Sequence, residues 1–172
     1  MASEKVVVDA SALLSLASAD FLRCPLVNFE LVVPHSVVEE IESLRAKRET
    51  AQIAEKILGA KTKFTVVRPK QAASGPHRGE QDCLQVCTEH GIGILVLDDF
   101  RAIRRLKPVA ISKGVKLLLS VFFVAHAAAS GEISKEEALT TFDRMAERCD
   151  WIGGRVYLAG KGFLERELRK PK

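Results

Sequence analysis

The sequence predicts a three-layer α/β/α fold with a central parallel β-sheet. Apolar, β-branched runs at residues 6–8, 31–33 and 92–97 have the composition of strands that are buried on both faces of such a sheet. Segments with helical periodicity separate these runs, and strands that alternate with helices favour parallel pairing. The 172 residues suffice for one core and show neither an internal repeat nor a dividing linker, so we expect one domain over residues 1–172.

The first half of the chain is predicted to contain three strands and two helices. Asp9 ends the first strand, and the helix after it covers residues 11–17. Ser36 follows the second strand as a suitable N-cap for a long polar helix that runs through Lys56. The third strand, at residues 64–67, is rich in β-branched and aromatic side chains. The Pro, Ser and Gly residues that follow it predict a long loop.

Next along the chain we predict a helix, a strand and a short basic helix. The first of these helices covers residues 80–90 and is stopped by Gly91, a residue that readily adopts the left-handed backbone of a helix end. The fourth strand ends at Asp98 and Asp99, and the basic helix follows it directly. Because both acids stand at the carboxyl end of a strand, they become candidates for a functional site.

The C-terminal part begins with a fifth strand at about residues 113–119. The apolar run over residues 117–129 is shorter than the ~20 residues that span a bilayer, so we predict a buried strand leading into a helix, and no contact with a membrane. Ser134 and Glu137 form a capping box for the next helix. The tail from about residue 153 is Gly-rich and then helical.

The composition indicates a cytoplasmic protein whose partner could be a polyanion. The formal charge of +4 suits nucleic acid but does not require it. Basic residues bunch after the fourth strand at Arg101, Arg104 and Arg105, as a phosphate backbone would need, although a solvated helix face has the same pattern. No signal peptide precedes the first strand, and the four cysteines then indicate a reducing compartment.

Acidic residues stand at the ends of predicted strands or shortly after them. Asp9 ends the first strand, and Asp98 and Asp99 end the fourth. Two further pairs lie one turn into the helix after the second strand and at the start of the helix after the loop. These pairs are Glu39 with Glu40, and Glu80 with Asp82. Because ligands of parallel sheets bind beyond the carboxyl ends of the strands, we expect these side chains to lie near one another.

Carboxylates packed this closely repel one another unless a cation lies among them. Oxygen ligands select hard cations such as Mg²⁺ or Mn²⁺, which lower the pKa of a bound water and stabilise charge on a phosphoryl group. The pattern therefore favours a metal-dependent phosphodiesterase. The alternative is that acids simply favour helix N-termini, which accounts for Glu80 but not for Asp9 after an apolar strand.

Four short motifs occur in a fixed order along the chain. They are Val-Val-Val-Asp-Ala-Ser at 6–11, Val-Pro-His-Ser-Val-Val-Glu-Glu-Ile at 33–41, Gly-Glu-Gln-Asp-Cys-Leu at 79–84 and Leu-Val-Leu-Asp-Asp at 95–99. In order and spacing they resemble the PIN-domain family, and within it the small prokaryotic and archaeal ribonucleases of the VapC toxin type. The resemblance runs from about Val6 to the end of the chain.

The resemblance implies a set of four acids that are both catalytic and metal-binding. They are Asp9, Glu40, Asp82 and Asp99. Ser11 would support the first acid, and Glu80 and Asp98 would support the site from its margin. The register stays open by one place for the second and fourth acids, since Glu39 and Asp98 adjoin them, and Glu80 competes for the third. The family's frequent Thr-x-Asp is Leu97-Asp98-Asp99 here, which removes a hydroxyl.

The activity implied by the resemblance is an endoribonuclease that uses Mg²⁺ or Mn²⁺. Arg101, Arg104 and Arg105 would bind the backbone of single-stranded or looped RNA. The family also implies a homodimer and, if the chain is the toxin of a toxin–antitoxin pair, an antitoxin protein laid across the acidic cleft. The alternative function is a non-catalytic RNA-binding or ribosome-assembly module on the same fold.

Two other families share part of this pattern. The Asp98–Asp99 pair resembles that of a two-component receiver domain, but the next aspartate, Asp143, lies in a predicted amphipathic helix. Haloacid-dehalogenase phosphatases need a second aspartate two places after the first, where this chain has Ser11. The sequence also contains neither a Gly-rich phosphate-binding loop nor a Cys-x-x-Cys pair.

Overall fold

The computed structural model describes residues 3–170 and contains, within them, a five-stranded parallel sheet. The strands are β1 (Glu4–Val8), β2 (Phe29–Pro34), β3 (Thr65–Val67), β4 (Ile94–Val96) and β5 (Lys116–Leu118). Their order across the sheet is β3-β2-β1-β4-β5, and every neighbouring pair is parallel. With helices on both faces, this confirms the predicted α/β/α class.

Nine α-helices fall within the described residues. They are α1 (Ala10–Ser18), α2 (Arg23–Asn28), α3 (His35–Leu44), α4 (Ala51–Gly59), α5 (Arg78–His90), α6 (Phe100–Ser112), α7 (Val121–Ser130), α8 (Lys135–Arg148) and α9 (Arg155–Leu168). A single 3₁₀ turn, Lys61–Lys63, precedes β3. The capping box predicted at the start of α8 is present, since Ser134 Oγ accepts from the Glu137 N–H at 3.1 Å.

β1 is the central strand, and its three valines, Val6, Val7 and Val8, are fully buried. Val7 pairs with Val32 of β2 on one side and with Leu95 of β4 on the other. Helices cover both faces of the sheet at this point, so no residue of the run can turn toward water. An unbroken β-branched sequence is therefore the pattern that this position requires.

The topology changes direction between β1 and β4. The chain builds β2 and β3 outward on one side of β1 and then crosses back to place β4 and β5 on the other side. Connections that leave neighbouring strands in opposite directions open a crevice at their carboxyl ends. The Asp9 N–H donates to the Val96 carbonyl at 3.0 Å, so the pairing of β1 with β4 extends to the edge of this crevice.

The helices form two layers whose buried apolar side chains make one contiguous cluster. On one face α5 contacts β1, β2 and β4, and α6 contacts α5. In the other layer α1 contacts α3, α4 and α8. α9 packs on α7 and α8, where a Cβ on Gly160 would come within 2.8 Å of the Phe142 ring. Since α1 follows β1 and α6 follows β4, both helices begin at the crevice.

The prediction of one long helix from Ser36 through Lys56 is wrong, because this segment forms two helices, α3 and α4. Thr50 Oγ1 donates to the Leu44 carbonyl at 2.9 Å and so satisfies a carbonyl that the end of α3 leaves free. α4 then folds back and packs on α1 and α3. Ser36 is not the N-cap either, since α3 begins one residue earlier and the Ser36 side chain is buried.

Three further helices differ from the prediction. α6 continues to Ser112 although Pro108 lies inside it, and Pro108 is exposed, so water can reach the carbonyl that it leaves without a partner. α9 begins at Arg155, whereas the sequence predicts that the helical part of the tail starts only at residue 162, about two turns later. α2 was not predicted at all. Each of these segments is short or carries a Gly or Pro, and packing decides its helicity.

No helix among residues 3–170 is both long and apolar enough to cross a membrane. The apolar run that begins in β5 continues as α7, a helix of 10 residues. Its side chains pack against the core, with Phe123 and Val124 fully buried.

Candidate active site

A cleft of about 480 Å³ opens at the carboxyl ends of β1 and β4, where the topology changes direction. Five carboxylates line it. They are Asp9, Glu39, Glu40, Glu80 and Asp99. The remaining lining comes from the start of α1, the start of α3 and the turn that leads into α5, including Ser11, Ser36, His77, Arg78 and Gly79. The cleft is therefore a concave surface with five acidic side chains in its lining.

Asp9 lies at the bottom of the cleft, at 4% relative exposure. It is the N-cap of α1, and its Oδ2 accepts from the Ser11 N–H at 3.2 Å and from the Ser11 hydroxyl at 2.8 Å. Burial raises the pKa of Asp9, the two bonds from Ser11 partly offset that effect, and the charge of Asp99 raises the pKa further. Oδ1 faces Cys83 Sγ at 4.0 Å, a weak contact that leaves this oxygen able to accept a stronger partner.

Ser11 links the end of β1 to the end of β4. Its hydroxyl oxygen accepts from the Asp98 N–H at 2.9 Å while its O–H donates to Asp9. A hydroxyl can donate once and accept at the same time, so a single side chain fixes the position of Asp9 relative to the end of β4. Ser11, two residues after Asp9, thus holds the Asp9 carboxylate against the end of β4.

Glu40 reaches the cleft from α3. Although the residue as a whole is exposed, its carboxylate lies against Gly79, where an added Cβ would come within 3.0 Å of Oε2. Loss of water raises the pKa of Glu40 to about 6, and the charges of Asp9 and Glu80 add to the shift. Its neighbour Glu39 is instead paired at the rim, with His35 at 3.1 Å and Arg78 at 3.2 Å.

Asp99 and Asp98 point to different places although they are adjacent. Asp99 lines the cleft as the N-cap of α6, and its Oδ1 accepts from the N–H groups of Arg101 at 2.7 Å and Ala102 at 3.2 Å. Asp98 is buried at 5% exposure and accepts from the Ser120 N–H at 2.8 Å, so it ties β4 to the start of α7. Burial raises the pKa of Asp98, and the bonds from Ser120 partly offset the rise.

Asp82 does not line the cleft, which corrects the expectation that it meets the other acids there. It is 1% exposed, its Oδ1 accepts from the Ala73 N–H at 2.7 Å, and Arg78 lies 3.6 Å from its Oδ2. Glu80 lines the cleft in its place. Residues two apart on a helix point about 200° apart, so α5 can present only one of these two acids to the cleft.

Glu80 has a resident partner, because Arg105 of α6 donates a hydrogen bond to Glu80 Oε2. Burial raises the pKa of Glu80, Arg105 opposes that rise, and the charges of Asp9 and Asp99 add to it. His77 Nδ1 lies 3.8 Å from Oε1. The pKa values of three cleft acids, Asp9, Glu40 and Glu80, are thus raised by loss of water and by the charges of other acids in the cleft.

The donor set of the cleft fits a hard divalent cation. Its acids offer only oxygen, and their mutual repulsion is the strain that such an ion relieves. Among the residues that the structure describes, no three His, Cys, Asp or Glu side chains already stand close enough to hold a metal. The acids therefore line a shared space without closing on it.

Replacing Glu40 with Gln is expected to raise the melting temperature of the metal-free protein by about 1–3 °C near neutral pH and by less near pH 4. In the folded protein the pKa of Glu40 is about 6, above its ordinary value of 4.5. The protonated carboxyl contributes stability that is fully present below 4.5 and lost as the pH rises through 6. Scanning calorimetry of both proteins across this range checks the trend; a difference independent of pH would contradict it.

A second, shallow depression of about 320 Å³ is lined by Arg101, Arg104 and Arg105 on the exposed side of α6. Arg105 links it to the acidic cleft through Glu80. The three arginines predicted to bind RNA are thus together on the surface, and one of them is already engaged by an acid.

Comparison with known proteins gives one family. A search among curated proteins found no match. A family model described as a PIN domain matches residues 5–160, which covers β1 through the first half of α9 and includes every residue of the cleft. The fold, the position of the cleft and this match agree, and the chain belongs to the PIN-domain family.

Proposed function

We propose that the chain is a divalent-metal-dependent endoribonuclease that hydrolyses phosphodiester bonds of single-stranded or looped RNA. PIN domains are generally nucleases, and RNA is the substrate class that this fold implies. The observation that supports the proposal most directly is the set of convergent cleft acids, with raised pKa values at Asp9, Glu40 and Glu80. Carboxylates that repel one another destabilise the folded protein, and groups with perturbed pKa values of this kind cluster at functional sites.

Asp9, Glu40, Glu80 and Asp99 would hold the ion, and Mg²⁺ or Mn²⁺ suits their oxygen atoms. When bound, such an ion supplies a water of lowered pKa and stabilises the charge that develops on the phosphoryl group. Asp9 and Asp99 cap α1 and α6, so both carboxylates lie at the N-terminal ends of helices, where the backbone N–H groups point outward. Ser11 holds Asp9 in place.

The RNA backbone would lie along the surface of α6. Arg101 and Arg104 are exposed beside the cleft and can bind phosphates without a role in proton transfer. Gly79 keeps the wall of the cleft low between α3 and α5, where a side chain would meet the Glu40 carboxylate. Arginines that bind phosphate and acids that act on it are therefore close but separate.

A cleavage assay tests the proposal. Single-stranded RNA labelled at its 5′ end is incubated with the protein in MnCl₂, in MgCl₂ and in EDTA. We expect internal cuts with either metal and none with EDTA, and no cuts with the Asp9→Asn variant purified in the same way, which controls for contaminating ribonuclease. RNA that stays intact in both metals while the protein still binds it would instead support the alternative, a non-catalytic RNA-binding module.

The Arg105–Glu80 contact is the observation on the side of that alternative, because a neutralised acid has less need of a metal. It leaves Asp9, Glu40 and Asp99 without a comparable cation among the described ion pairs, and for this reason we favour the enzyme. A toxin role with an antitoxin protein, a homodimer and a cytoplasmic location stay predictions.

Replacing Arg104 with Ala is expected to weaken RNA binding similarly for RNAs of different sequence and to reduce the slope of log affinity against log salt by about one unit. The reason is that one phosphate contact, and the counterion that it releases, is lost. Fluorescence anisotropy in EDTA over a salt series measures both quantities without cleavage. A variant with the parent's affinity and slope would show that this part of α6 only covers the sheet.

A further inference from the structure

The contact between α5 and α6 places a positive charge against one wall of the acidic cleft. Arg105 Nη2 donates to Glu80 Oε2, and the side chains are 41% and 14% exposed. Glu80 lies on the wall of the cleft, so the guanidinium reaches the carboxylate from the side that faces α6. The pair is thus formed at the site itself and not on a distant surface.

Two other basic residues, His77 and Arg78, line the cleft. Arg78 contacts Glu39 at 3.2 Å and Asp82 at 3.6 Å, both away from the centre of the site. His77 is 3.8 Å from Glu80, and it carries charge only when protonated. Among the described ion pairs, Arg105 is therefore the permanently charged group that neutralises a cleft acid facing Asp9 and Asp99.

We propose that Arg105 occupies Glu80 in the metal-free protein and competes with a divalent cation for this carboxylate, so that Arg105 is a positioning residue that sets the metal affinity of the site. The inference rests on the proposed function, in which Glu80 is one of the acids that hold the ion. The guanidinium and a metal ion would both bind the Glu80 carboxylate. Metal binding must therefore displace or weaken the Arg105–Glu80 ion pair.

The expected change in metal affinity follows from the solvent exposure of the Arg105–Glu80 pair. A partly exposed ion pair shifts a competing equilibrium by a factor of a few, and by about tenfold at most. Removing the guanidinium also removes its repulsion of an incoming cation, which acts in the same direction. The opposite sign would arise if Arg105 mainly oriented Glu80 for the metal, because its loss would then weaken binding.

The test is a calorimetric titration of MnCl₂ into the metal-free protein, near neutral pH and at low salt, for the parent, Arg105→Gln and Arg104→Gln. Arg104 is adjacent on α6, is exposed and forms no ion pair among the described residues, so its variant matches the loss of one positive charge. We expect the Kd for Mn²⁺ to fall about 3- to 10-fold in Arg105→Gln and to stay within about twofold of the parent in Arg104→Gln.

A double-mutant cycle with Glu80→Gln gives the second readout, since Arg105→Gln should have a clearly smaller effect on the Kd for Mn²⁺ once the shared carboxylate is gone. Arg105→Lys keeps the charge and should bind Mn²⁺ nearly as the parent does, which guards against a misfolded Gln variant. Equal changes in both arginine variants, or weaker binding by Arg105→Gln, would overturn the inference alone. Absence of Mn²⁺ binding in every protein would overturn the proposed function and the inference with it.

Discussion

Asp9→Asn is expected to lower the rate of RNA cleavage by about 10³-fold, or roughly 4 kcal/mol of transition-state stabilisation, without loss of the fold. The melting temperature of the metal-free protein should be unchanged or slightly higher. Asp9 is 4% exposed and its pKa is raised by burial, so the ionised carboxylate destabilises the folded state at neutral pH. Asparagine keeps an oxygen that can accept from Ser11 and cap α1.

The stability gained by Asp9→Asn depends on pH in a defined direction. Because the pKa of Asp9 in the folded protein exceeds the ordinary value of 3.8, its stabilising contribution is complete below that pH and is lost as the pH rises through the raised value. The gain from Asp9→Asn should therefore grow with pH. Scanning calorimetry and a cleavage assay on the same samples measure both effects. A large drop in melting temperature would identify Asp9 as a structural residue.

Glu80 and Asp82 should respond in opposite ways although they lie two residues apart. Glu80→Gln is expected to reduce cleavage by about 10²-fold, roughly 3 kcal/mol, with little change in stability. Asp82→Ala is expected to lower the melting temperature by about 3–8 °C, because the Ala73 N–H and Arg78 lose their shared partner. Its cleavage rate, measured well below the melting temperature, should stay within a few-fold of the parent.

Asp82→Asn is the matched control for this pair, since the amide oxygen can still accept from the Ala73 N–H while the negative charge is lost. It should recover most of the stability that Asp82→Ala loses. Calorimetry and initial rates for the four proteins separate a site acid from a structural acid. If Asp82→Asn abolished cleavage and Glu80→Gln did not, the third acid would be Asp82, and the loop before α5 would have to move.

The strands and some of the helix ends were predictable because their signals are local. The run Val6–Val7–Val8 has no polar position, and this alone indicates a strand covered on both faces. Ser134 with Glu137 and the left-handed Gly91 mark a helix start and a helix end through contacts within one turn. The break between α3 and α4 has no such signal, since the residues between them include good helix formers.

The candidate site was predictable to the level of segments but not of side chains. Asp9 is unambiguous because it directly follows an apolar strand and has no other acid within two residues. Each other acid has an acidic neighbour within two residues, and the sequence offers no reason to prefer one. In the structure Glu40, Glu80 and Asp99 line the cleft, and so does Glu39, which is paired with Arg78. Asp82 and Asp98 instead support a loop and a helix start.

The sequence by itself determined the α/β class, the parallel order of elements and the four acidic segments at strand ends, because each depends on periodicity within a few residues. Only the tertiary structure decided that Glu80 and Asp99 line the cleft while Asp82 and Asp98 do not, and that Arg105 contacts Glu80 there. A helix turns 100° per residue, so the direction of a side chain depends on the rotation of the whole helix about its axis. For α5 and α6 that rotation is set by packing on the sheet and on each other, through contacts between residues distant in sequence.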